Sequence, residues 1–446
     1  MNSNRPAVEG LEGRLLLYAT NGGEWTLPAR VTYSFMPDGT SLGGPASNLY
    51  QTFNSKFTTA TWQAAFTRAA AYWAVTAGIN IVQVPDNGAA LGANGNQQGD
   101  PNFGDIRIGG MAQSMNTLAI AFLPPPVNGD SLAGDILFNT AQAWQMNNDY
   151  DIQTVALHEF GHALGLDHSA TTSAAMYAYY NGQKQSPIND DLNGIQAVYG
   201  TRQPDNYEGP NGNDTISTAT DLNQFLNPST NQIALYYLDM QQQMDNDYYR
   251  VNVPSGTNGT MVVRMQSSNL SMLSPRVQVL DSAGKNVNYT TAPNSYGTTI
   301  SVTVNGVTPG QLYYIRANGA NTGTSGAYAL LLNFGSTTQY LVGPPNTAVA
   351  KQASSGGGSQ SSQTVGDPAS TTAVTSAQAA EPTGSLRSRL RKLVENHDDD
   401  VPELVQVGEV QGYADSLRVS PAARRRLMQQ AAWAKAWGRR AARIHR

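Results

Sequence analysis

The chain has 446 residues and a formal charge of −5, too long for one ordinary domain and long enough for two folded units with tails. Apolar residues are 40% of it and charged residues only 13%, about half the usual share, which fits an extracellular, turn-rich, β-containing protein. No run approaches the ~20 apolar residues of a membrane-spanning helix, and the lack of cysteine excludes disulfide scaffolds, thiol nucleophiles, zinc ribbons and latency through a thiolate on a metal.

In chain order, residues 1–20 contain Leu11-Glu12-Gly13-Arg14 followed by three leucines. This resembles the short LEPR-type leader of many exported bacterial proteins, with Gly13 in place of the proline. Residues 21–200 read as one mixed α/β unit. Val31–Phe35 is a β-rich run closed by the turn Pro37-Asp38-Gly39. From Thr61 to Ala77, Trp62, Phe66, Ala69 and Trp73 recur at helical spacing, with Gly78 as the expected stop. Further strands are expected at Ile79–Val84, Asp105–Ile108, Thr117–Phe122 and Asp135–Phe138. A second helix runs from about Asp151 to Gly165, and a third follows Asp190.

Residues 201–335 change character. Short β-rich runs recur at Met261–Met265, Val277–Leu280, Thr299–Val304, Leu312–Ala317 and Tyr328–Asn333, separated by turn signals such as Thr308-Pro309-Gly310. The pattern is that of an antiparallel β-sandwich. Residues 336–385 are rich in Gly, Ser, Thr, Gln and Ala and read as a flexible linker. Residues 386–446 form a basic tail. From Arg418 onward it carries nine cationic residues and no acidic one, and Leu427, Ala431, Ala434, Trp437, Ala441 and Ile444 make one stripe of an amphipathic helix. Two readings stand for this tail: an anchor to an anionic surface, or a solvated disordered end. No nucleic-acid-binding module accompanies it.

Of five histidines, three fall inside eleven residues, in His158-Glu-Phe-Gly-His162-Ala-Leu-Gly165-Leu-Asp-His168. Side chains at i and i+4 share a helix face, so His158 and His162 can reach one zinc ion. Leu157, Phe160 and Leu164 pack the opposite side. Glu159 lies about 100° round the helix from His158, beside the metal rather than on it, where it can hold a water. Gly165 lets the chain leave the helix in a left-handed turn, and His168 returns as third ligand. Three neutral imidazoles leave the fourth position open, which distinguishes a catalytic from a structural zinc.

This motif resembles the metzincin zinc signature and, in detail, its matrixin branch, the matrix-metalloproteinase family. Ser169 follows the third histidine as in matrixins. Ala175-Met176-Tyr177 matches the Met-turn, with Met176 as an apolar base under the imidazoles. Asp190-Asp191 with Gly194-Ile195-Gln196 and Tyr199-Gly200 matches the terminal helix. The resemblance covers about Trp25 to Gly200. It implies an α+β catalytic domain with a five-stranded twisted mixed sheet and an active-site helix, one catalytic zinc, protein or peptide substrates, and an extracellular or cell-envelope location. The chain also departs from the family. Ile120 and Leu137 stand where matrixins have two histidines of a second, structural zinc. Asn139 and Gln142 replace acidic calcium ligands, and Ala178 replaces the proline after the Met-turn.

The second unit resembles the bacterial pre-peptidase C-terminal domain through Asp205-Asn-Tyr-Glu208, Asn213-Asp214, Asp245-Asn-Asp247-Tyr-Tyr and Gly326-Ala-Tyr328. A fibronectin-type or other sandwich is the alternative. Asp245 and Asp247 either bind calcium or form turns. The function expected from all this is a secreted zinc endopeptidase with Glu159 as general base. The alternative is an extracellular binding or adhesion protein that keeps a non-catalytic zinc site, and the intact Glu159 favours the enzyme.

Overall fold

The computed structural model describes residues 18–242, 245–321 and 325–335, with the backbone of 403–406. The first unit runs β1 (Val31–Phe35), α1 (Leu49–Asn54), α2 (Thr59–Ala74), β2 (Ile81–Gln83), β3 (Ile106–Met111), β4 (Thr117–Ala121), β5 (Ile136–Asn139), α3 (Ile152–Ala163) and α4 (Asn189–Tyr199). Its strands order as β4-β5-β3-β1-β2, all parallel except the antiparallel β4–β5 pair. Strands β1, β3, β4 and β5 are buried along their whole length, as their nearly continuous apolar sequences require. One face of the sheet packs on α2 and α3 through Phe66, Trp73, Leu157 and Phe160. The other is covered by loops through a smaller cluster of Met36, Leu42, Leu91, Met111, Ile120, Phe122, Leu132 and Leu137.

Positions 120 and 137 are thus cross-strand partners inside an apolar cluster. Asn139 and Gln142 are also inside. Asn139 Nδ2 donates to the carbonyls of Ser114 and Thr117, both at 2.7 Å, and Gln142 Nε2 donates to that of Met115 at 2.6 Å. Amide N–H donors therefore grip carbonyl oxygens of the kind a cation would bind.

Several boundaries differ from expectation. Helix α2 ends at Ala74, and Gly78 has another purpose: a Cβ there would lie 2.9 Å from the Tyr199 carbonyl. Helix α1 is an addition. The folded unit begins inside the expected leader, because Asp167 N–H donates to Ala19 O at 2.9 Å and Thr20 bridges to Leu166. The rest of the leader lies outside the described residues.

The second unit comprises β6 (Thr220–Asp221), β7 (Gln232–Met240), β8 (Asn246–Asn252), β9 (Thr260–Gln266), β10 (Pro275–Asp281), β11 (Asn286–Thr291), β12 (Thr299–Asn305), β13 (Leu312–Gly319) and β14 (Gly326–Asn333). They form two sheets, β11-β10-β13-β8-β6 and β12-β9-β14-β7. All pairs are antiparallel except β6–β8. Inward residues of both sheets, among them Tyr249, Val279 and Ile315 from one and Val263, Val302 and Leu332 from the other, share one core. The alternation in β12 and β8 follows the period-two side-chain geometry of strands. Arg202 ties the two units together. Its guanidinium donates to Ala74 O at 2.8 Å and Ile79 O at 2.6 Å and pairs with Asp239 of β7 at 2.7 Å.

A sixth strand joins the first sheet: β15 (Glu403–Gln406) pairs in parallel with the outer edge of β4. The sheet is therefore six-stranded rather than five-stranded. Linker 336–385 and the amphipathic helix expected beyond Ser420 lie outside the described residues.

Candidate metal centre

Helix α3 is buried at every position. Asp151 caps it, accepting from Thr154 N at 2.9 Å and Asn147 N at 2.7 Å. Trp73 Nε1 donates to Leu157 O and Trp25 Nε1 to Ala163 O, both at 2.9 Å. Asn21 Nδ2 donates to His162 O at 3.1 Å and Leu166 O at 3.0 Å. The helix ends in a Schellman motif: Leu166 N–H donates to Gly161 O at 2.9 Å and Gly165 N–H to His162 O at 3.1 Å. Gly165 has φ +107°, and a Cβ there would strike Gly23 O. The left-handed exit expected at Gly165 is present, and it turns the chain back toward the face of His158 and His162.

The three imidazoles meet. Ring centroids are 4.5 Å apart for His158–His162, 4.8 Å for His162–His168 and 5.3 Å for His158–His168. One nitrogen from each lies within 4.8 Å of the other two. His158 Nδ1 is 2.7 Å from Ala175 O and His162 Nδ1 is 2.9 Å from Leu166 O. A carbonyl only accepts, so each Nδ1 carries the proton and each Nε2 keeps its lone pair. Burial, aided by the other rings, holds both histidines well below the usual imidazole range and therefore neutral. Neutral imidazoles with fixed tautomers are the form that binds a metal.

Glu159 is fully buried, and neither carboxylate oxygen has a hydrogen-bond partner. Burial pushes its carboxyl well above the usual range. A buried polar group without a partner costs about 1–3 kcal/mol, so such a residue marks a place where something polar binds. Three imidazoles and an adjoining unsatisfied carboxylate fit zinc with a water beside it.

Met176 is buried with its sulfur against Gly161, where a Cβ would collide with Sδ. That explains the glycine between the two helical histidines. The turn bearing Met176 is pinned from α4. Asp191 accepts from Ala175 N at 2.9 Å, Met176 N at 3.0 Å and Ile188 N at 2.9 Å. Ser169 Oγ donates to Asp190, and Ser169 N to Met176 O at 2.7 Å. A chain of contacts thus runs from Asp191 through the Ala175 backbone to the His158 ring. Past Ala178, Tyr180 Oη accepts from Asp151 N at 3.1 Å and closes this loop onto the start of α3.

The family model for matrixins matches residues 47–200. Residues 47–200 are a matrixin domain. Karilysin of Tannerella forsythia is 40% identical over 122 residues, 25% of this chain and 25% of its own length. Matrix metalloproteinase-20 of Homo sapiens is 47% identical over 91 residues, 20% of this chain and 18% of its own. Interstitial collagenase of Equus caballus is 44% identical over 89 residues, covering 19% and 18%. The chain thus matches a quarter or less of the length of these relatives.

Within the matrixin domain, reading the sequence located the histidines, Glu159, Gly165 and Met176. It missed the supports Asn21, Trp25 and Gly161, and saw Asp191 only as part of a helix motif. The Asp190-Asp191 pair at a helix start was the available signal, since such carboxylates seek backbone N–H groups.

Proposed function

We propose that the chain is a secreted, zinc-dependent endopeptidase that cleaves protein or peptide substrates. The observation that carries this reading is the unsatisfied, buried Glu159, next in sequence to His158, together with three converging imidazoles. His158, His162 and His168 are the zinc ligands. Zinc held there supplies a Lewis acid for the scissile carbonyl and acidifies a water. Glu159 takes that water's proton and delivers it to the leaving amine. Its proton affinity, raised by burial, suits a group that must pick up a proton and give it away. Gly165 and Met176 are structural, one returning the chain and one supporting the rings.

Residues 21–200 serve as the catalytic unit in this reading. The two facing sheets of 201–335 are an accessory β-sandwich similar to the bacterial pre-peptidase C-terminal domain. Residues 336–385 act as a linker and 386–446 as a basic tail that holds the enzyme to an anionic surface. The leader-like residues 1–20 and the low charge content support export. The test is zinc content together with cleavage of a quenched peptide library, with and without a chelator. One zinc per chain and chelator-sensitive cleavage are expected. A zinc-loaded chain inert toward peptides would support the binding-protein reading instead.

A further inference from the structure

Among the described residues, the sheet of the first unit ends at β2 on one side and at β15 on the other, in the order β15-β4-β5-β3-β1-β2. Helix α2 packs beside β2. Helix α3, which carries His158, Glu159 and His162, packs beside β4, β5 and β15. The sheet edge on the side of the imidazoles is therefore that of β4. A strand edge presents unpaired N–H and C=O groups, and an extended peptide adds to it as a further strand. A peptidase must hold its substrate extended with one carbonyl at the metal. The outer edge of β4 is where main-chain bonds beside α3 can do this.

In this chain that edge is occupied by a distant part of the same polypeptide. β15 (Glu403–Gln406) pairs with it in parallel, with Glu403 opposite Thr117, Val405 opposite Ile120 and Gln406 opposite Ala121. Although β4 is the outermost of the first unit's own strands, it is buried at every position. The hold is weak. The pair is short, parallel pairing is slightly less stable per residue than antiparallel, and the register slips between Glu403 and Val405. Such a strand can cover an edge and still be displaced from it. Its tether offsets the weakness, because covalent attachment makes the pairing intramolecular, with an effective concentration of up to the millimolar range. With no cysteine, the chain cannot hold the metal site shut with a thiolate, and cover of the edge is a device that needs none.

We propose that residues 403–406 are an internal competitor for the peptide-docking edge of β4, so that a substrate reaches the metal centre only when β15 leaves. This regulation rests on the peptidase reading above. It has a kinetic signature. Where only a fraction of the chains has an open edge, the apparent affinity for substrate falls by that fraction, while a saturating substrate displaces β15 and restores full turnover. Release of β15 therefore lowers KM and leaves kcat unchanged.

The experiment uses the zinc-loaded full chain and a quenched peptide substrate. Proline cannot donate to a strand ladder. The double change Leu404→Pro/Val405→Pro takes the N–H from two neighbouring residues, whichever of them faces β4. KM should fall on the order of ten-fold, which corresponds to an edge open in about a tenth of the parent chains, with kcat as in the parent. Hydrogen exchange should speed up at the amides of residues 117–121. Leu404→Val/Val405→Ile keeps both N–H groups and should keep the KM and the exchange of the parent. Leu404→Gly/Val405→Gly gives the same comparison where the prolines disturb folding, since glycine weakens a strand interior. Equal chelator-sensitive cleavage with equal KM in the parent and both weakened chains would overturn the competition and leave the peptidase reading standing. Faster exchange in β4 with KM unchanged would overturn it too, because β15 would then only protect the edge. Absence of cleavage by every chain would overturn both readings.

Discussion

Between β4 and β5, the Asn139 and Gln142 side chains grip the carbonyls of Ser114, Met115 and Thr117, and Ile120 and Leu137 pack in an apolar cluster. On α3, by contrast, Glu159 keeps two buried oxygens without partners beside three imidazoles. Both regions belong to one matrixin domain, and the resemblance places metals at both. Where the chain supplies its own N–H donors or methyl groups, no ion is needed to complete the structure. Where it leaves buried polar atoms without partners, folding alone does not complete it.

Changing Glu159 tests that contrast most severely. Glu159→Gln keeps the size and hydrogen-bonding shape but cannot take a proton, so turnover should drop by at least ~10²-fold. Zinc content by metal analysis should stay at one per chain, because the residue is not a ligand. Unchanged turnover would mean that the unsatisfied carboxylate is an accident of packing. Asp191→Ala is next in size. It strips the acceptor from the N–H groups of Ala175, Met176 and Ile188 and should lower stability on the order of 3 kcal/mol. It should also loosen zinc, because Ala175 O orients the His158 ring. Denaturant melts and zinc dissociation rates check the two effects. Lost stability with unchanged zinc release would cut the link from α4 to the ring.

Asn139→Asp sharpens the comparison directly, since it turns the amide donor into an acceptor facing two carbonyls. Stability should fall by about 2 kcal/mol, and millimolar calcium should recover part of the loss. No recovery with calcium would mean that the amide does not stand in for a cation.

The candidate site was legible because it is local: His158, His162 and Glu159 sit on one helix, and Gly165 announces the return of His168. The main strands of the sheet were legible as apolar runs. What escaped depends on contacts across the fold. Asn21 and Trp25 act on carbonyls more than a hundred residues away. Helix α1 is too short to show a period. Strands β7 and β8 interleave tyrosines and polar residues, and β11 is mostly exposed.

The smallest expected effect concerns Met176, whose sulfur could be taken for a hidden ligand and so for another member of the unsatisfied class. The geometry places it elsewhere. Its sulfur fills the space left by the missing Gly161 side chain, its backbone N–H is held by Asp191, and its carbonyl by Ser169. Every strong interaction it makes is through the main chain, which a substitution keeps. Met176→Leu nearly conserves volume and should cost under about 1.5 kcal/mol, with zinc stoichiometry and turnover close to those of the parent. Gly161→Ala is the control, since its Cβ must displace the Met176 sulfur or Trp73. Overpacking of that kind typically costs about 1–3 kcal/mol and should exceed the effect of the leucine. Loss of zinc in the leucine variant alone would show that the sulfur itself, rather than the shape beneath the rings, supports the metal.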